Sequence, residues 1–109
     1  MELVHLTPTA DELLAAAREA SSGRAARSIR SGRDARLRQT LMALTRGRGL
    51  DDHVAPGEAT LQVVVGSVRL RWEEQALDLD AGDWVELPDA VHALDAETDA
   101  VVLLTVSVR

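Results

Sequence analysis

His53 and His92 are the residues of this chain whose type and setting could do chemistry. In the run from Val91 to Glu97, positions 92, 94 and 96 read His, Leu and Ala, whereas 93, 95 and 97 read Ala, Asp and Glu. Successive side chains of a strand point to opposite faces, so the apolar set carries His92 into the interior. By the same alternation His53 shares a face with Asp51 and Ala55. An imidazole in an apolar interior needs a hydrogen-bond partner or a metal, because an unsatisfied buried polar group costs about 1–3 kcal/mol. Taken singly, either histidine is accounted for as a core residue with its bonds satisfied. The chain has no cysteine, which excludes disulfides, thiolate catalysis and Cys-ligated zinc, and leaves any metal to nitrogen and oxygen donors. It also has no glycine-rich phosphate loop, no Gly-x-Ser-x-Gly elbow and no Ser/His/Asp set. His5 is most simply a surface residue near a terminus.

The elements that must position these histidines are mostly strands. At 109 residues the chain is long enough for one core, divided into a segment 1–23 with a helix and a barrel over 24–109. Residues 1–8 read as a short edge strand. Thr9-Ala-Asp-Glu12 fits a capping box for a helix over Ala10 to Ala20, ended by Ser21-Ser-Gly23. After Gly23 the period becomes strand-like, with Ala25 to Arg30 and Ala35 to Thr45 joined by the turn Ser31-Gly-Arg-Asp34. The clearest alternation is Ser67 to Trp72, with Val68, Leu70 and Trp72 on one face. Leu77 and Leu79 are expected to face in, followed by strands Trp84 to Leu87, Val91 to Ala96 and Ala100 to Val108. The last run is apolar on both faces, which suits a strand buried on both sides. Trp84 shares parity with Glu86, which suits an exposed anchor.

Charge divides the chain. Eight of the twelve arginines lie between Arg24 and Arg48 with Asp34 as their one acid, while thirteen acids and three arginines follow from Leu50 onward. The overall charge of −6, the absence of Phe and Tyr and the lack of a recognition-helix pattern argue against a nucleic-acid partner. The expected role of the basic segment is to meet the acidic one, within the chain or across a homodimer. There is neither a secretory signal nor an apolar run of the ~20 residues a membrane span needs, so a cytoplasmic location is expected, with no membrane partner.

Two clusters carry a resemblance. Asp51-Asp-His53, Glu58 and Gly66 resemble the first motif of the cupin superfamily, in which His-x-His is followed by a glutamate and a closing glycine. Asp51 stands where that motif has its first histidine, and Glu58 comes one place early. Gly82, Pro88 and His92 resemble the second motif, with Ala90 in place of a glycine and His92 one residue early. The resemblance implies an all-β cupin jelly-roll barrel with one short N-terminal α-helix, often holding a metal between histidines. It makes His53 and His92 the expected ligands, joined by Asp51 or Glu58. Two histidines and a carboxylate suit Fe(II) with open positions, and Mn, Ni or Zn are the other divalent ions expected. Gln62 and Trp72 are the polar and aromatic side chains expected at the pocket. Three readings stay open. One is a binding or sensing module for a metal or small molecule, another a metal-dependent dioxygenase or isomerase, and the last a partner-binding scaffold.

Overall fold

Alternating apolar residues and glycine turns build two antiparallel sheets and one helix in the computed structural model, which describes residues 2–55 and 57–108. Pro56 lies outside the described residues. Helix α1 spans Leu6–Glu19 and is followed by β1 (Arg24–Arg30), β2 (Leu37–Leu44), β3 (Gly49–His53), β4 (Ala59–Val65) and β5 (Ser67–Trp72). Then come β6 (Gln75–Asp80), β7 (Trp84–Glu86), β8 (His92–Ala96) and β9 (Ala100–Ser107). One sheet has the order β1-β2-β9-β4-β7 and the other β3-β8-β5-β6.

The core lies between the sheets. Leu44, Leu61, Val63 and Val102 of the five-stranded sheet meet Val68, Leu70, Leu79 and Leu94 of the four-stranded one. The apolar double face of β9 has a plain cause. Val102 points into that core, whereas Val101 points outward against Ala10, Leu14 and Ala17 of α1, which also cover Leu41 and Ala43. The helix is therefore a third layer on the back of the larger sheet. No helix among the described residues is long and apolar enough to cross a membrane.

Three expectations are corrected. The helix begins at Leu6, a turn before the expected capping box, and among the described residues no edge strand precedes it. Pro8 sits in its first turn, where a missing N–H breaks no helical bond. Thr9 is inside the helix, and its hydroxyl donates to the carbonyl of His5 at 2.7 Å instead of capping an N-terminus. Leu77, expected to face in with Leu79, is exposed although Leu79 is buried, β6 being an edge strand of its sheet.

Gly66 passes the chain from one sheet to the other between β4 and β5. Its φ of +77° lies in the left-handed region, and a Cβ there would collide with the carbonyl oxygen of Asp99. The turn after β6 is tied to β4, since Val63 N–H donates to Asp83 O at 2.9 Å and Gly82 N–H to Val63 O at 2.8 Å, which extends the pairing of β4 with β7.

Candidate functional site

The site is built where β3 lies against β8. Leu50 pairs with Leu94 and His53 with His92, so β3 spends three steps where β8 spends two. That extra residue is a β-bulge, and it reverses the alternation along β3. Leu50 and His53 therefore both line the interior, while Asp51 and Asp52 between them are exposed. The expectation that Asp51 shares a face with His53 fails for this reason.

The two rings meet edge to face, their centroids 4.4 Å apart and their planes at 61°. Each is oriented by its own backbone. His53 Nδ1 is 2.8 Å from the carbonyl oxygen of Asp51, and His92 Nδ1 is 3.0 Å from that of Ala90. A carbonyl can only accept, so Nδ1 carries the proton in both rings, and in the neutral form Nε2 is left as an acceptor. His53 is half-buried. His92 is 2% exposed, and its Nε2 has no hydrogen-bond partner among the described residues.

The space these rings face is small and apolar. A cavity of about 20 Å³ is walled by Met42, Leu50, Leu61, Leu70, Leu87 and Leu104, together with the two imidazoles and their neighbours. That is room for a group about the size of one water.

The other sequence-predicted residues stand elsewhere. Glu58 is exposed and borders a separate cleft of about 380 Å³ with Glu86, Leu87 and Asp89. Gln62 is exposed because Leu61 and Val63 take the inward positions of β4, and it lies opposite Trp84, which is 62% exposed. It is not part of the pocket. Trp72 lies across from His92 in the β5–β8 ladder and packs on the core, but it borders an outer cleft with Asp52, Arg71 and Val91 instead of the cavity. The alternation of β4 already points Leu61 inward, and this could have placed it in the wall. Nothing in the residue types signalled the carbonyls of Asp51 and Ala90 that orient the rings.

The donor set does not fit a resident reactive metal, which needs about three protein ligands. Among the described residues, no three His, Asp or Glu side chains are grouped to hold one. The two imidazoles converge, but the bulge turns Asp51 to solvent and Glu58 sits in the other cleft.

The remaining charged contacts are on the outside. Arg69 bridges Asp78 at 2.8 Å and Glu97 at 3.2 Å, and Arg71 pairs with Asp95. The Arg69 guanidinium, first by hydrogen bonding and then by charge, holds the Asp78 carboxyl below its ordinary range. Asp99 is held low by the backbone N–H of Arg46 and then by Arg18.

No family model matches this chain, and no curated protein matches it either. Solved structures do. A Thermus thermophilus protein is 24% identical with all of both chains covered and a TM-score of 0.76. A cupin superfamily protein from Desulfitobacterium hafniense is 15% identical over 79% of this chain and 78% of its own, with a TM-score of 0.73. A mutant salicylate 1,2-dioxygenase from Pseudoaminobacter salicylatoxidans is 21% identical over 92% of this chain but 34% of its own, with a TM-score of 0.76.

Proposed function

We propose that this chain, which has the fold of the cupin superfamily, is a ligand-binding domain whose barrel receives the small, hydrogen-bond-donating head of a metabolite. The observation that carries this reading is the buried Nε2 of His92, an acceptor with no partner among the described residues. Leaving such an atom unpaired costs about 1–3 kcal/mol, which a donor from a ligand offsets on binding. His53 supplies a second acceptor beside it. The cavity selects by size, since about 20 Å³ admits a hydroxyl or amine but no ring.

Charge selects as well. In their neutral form the rings, with Nδ1 protons committed to backbone carbonyls, offer lone pairs, which a carboxylate ligand cannot use. Asp52, Glu58, Glu86 and Asp89, all exposed around this end of the barrel, further disfavour an anion. Occupancy would then report itself as added stability, the property a sensing module needs.

The test is a thermal-shift screen of matched alcohols, amines and carboxylates of one carbon skeleton, with divalent metal salts as a further arm. Alcohols or amines should raise the midpoint of the wild type and not of His92→Leu. A screen in which only carboxylates act would overturn the reading. So would an untagged protein that retains a stoichiometric divalent metal.

A further inference from the structure

We infer that a cleft on the rear of the larger sheet, between the segment ahead of α1 and the end of β1, binds a small aliphatic amino acid as its zwitterion. The cleft has a volume of about 700 Å³, within the range of small-molecule pockets. It shares no lining residue with the histidine cavity. A β-bulge brings Arg30 to it. Ser28 pairs with Thr40 and Arg30 with Gln39, so β1 spends two steps where β2 spends one. Gln39 shares a face of β2 with Leu41, which packs with α1. Strict alternation would set Arg30 on the face opposite Ile29, and the extra residue puts both on the rear, where both line the cleft.

The charges decide the ligand. Arg30 is exposed and, among the described residues, forms no ion pair. Glu2 lines the same cleft, is exposed too, and is likewise outside the ion pairs. An arginine and a glutamate that border one cleft without meeting are both served by a ligand that carries both signs. A carboxylate can accept two parallel N–H bonds from Arg30. An ammonium can donate to Glu2 and to Gln39, whose Nε2 is spent on Thr105 Oγ1 at 3.2 Å and whose carbonyl oxygen is left as an acceptor. A plain anion would be repelled by Glu2, and a plain cation by Arg30. Val4, Leu6, Ile29 and Leu103 supply the apolar part of the wall, which suits a branched hydrocarbon side chain. Among the described residues no aromatic ring lines the cleft to favour a flat one.

The experiment is isothermal titration calorimetry of the full chain with L-leucine and with its two halves in charge, 4-methylpentanoate and 3-methylbutylamine. Leucine should bind once per chain, and each analogue at least about tenfold more weakly. Arg30→Gln and Glu2→Gln should each weaken leucine at least about tenfold. Both positions are exposed, so the two variants should keep the circular dichroism spectrum of the wild type. His92→Leu should bind leucine as the wild type does, which separates this cleft from the barrel. A wild type that takes up no leucine, 4-methylpentanoate or 3-methylbutylamine binding as tightly as leucine, affinity indifferent to either charge variant, or binding lost in His92→Leu would each overturn the inference.

Discussion

Leu50 and His53 occupy the same face of β3 although three positions separate them, because β3 carries one residue more than β8 between the same two rungs. The bulge brings the imidazole of His53 against that of His92 and turns the two aspartates outward. The site is therefore a consequence of backbone register as much as of residue type.

Removing the extra residue should leave the site in place. Deletion of Asp52 puts His53 two positions from Leu50, on the same face by strict alternation, so ligand-induced stabilisation should persist in a thermal-shift assay while the circular dichroism spectrum stays that of a β protein. Asp51→Ala should change stability by no more than about 0.5 kcal/mol and leave the ligand response intact, because His53 is held by the carbonyl of residue 51 and not by its side chain. A ligand response lost in Asp51→Ala would show that the carboxylate takes part.

His92→Leu replaces an unpaired acceptor by an apolar group of similar size. Urea denaturation should show unchanged stability or a gain of about 1 kcal/mol, whereas His92→Ala should lose about 2 kcal/mol through the space it opens. A clear loss in His92→Leu would mean that Nε2 is already bonded in solution.

Gly66→Ala should cost about 2–3 kcal/mol, since it combines a left-handed φ with a collision against the Asp99 carbonyl. Urea midpoints measure this directly, and a loss below about 1 kcal/mol would show that the crossover relaxes.

Acid should loosen the contact between α1 and the turns it reaches. Asp99 accepts from the Arg46 N–H at 2.9 Å and from Arg18 Nε at 3.0 Å, and its folded-state pKa lies below the unfolded one. Its contribution is therefore fully present above the ordinary carboxylate pKa and is lost as the pH falls through the lowered value. Urea midpoints taken from neutral pH down to about pH 3 should fall less steeply for Asp99→Asn than for the wild type. Equal slopes would show that Asp99 contributes nothing to acid sensitivity.

Much of the fold was legible because its signals are local. The alternation of Ser67 to Trp72, the double-sided apolar run of β9 and the glycine at position 66 each reflect what one strand or one turn requires. His92 could be read inward because β8 alternates regularly. Position 53 was misread in its company, not in its identity, because a bulge depends on which rung of a partner strand each residue meets. That pairing is non-local and leaves no mark on residue type. Gln62 was misjudged although the alternation of Leu61 and Val63 already turns it out. The early start of α1 was hidden by Pro8, which reads as a break and is accommodated in a first turn.

The layering of α1 on Leu41, Ala43 and Val101 has a consequence for how the molecule comes apart. Position 23 is a change of secondary structure and not a joint. A fragment beginning at Arg24 would leave the rear of its larger sheet bare and oily, prone to clump before it could be assayed, so helix and barrel should melt together in a single transition.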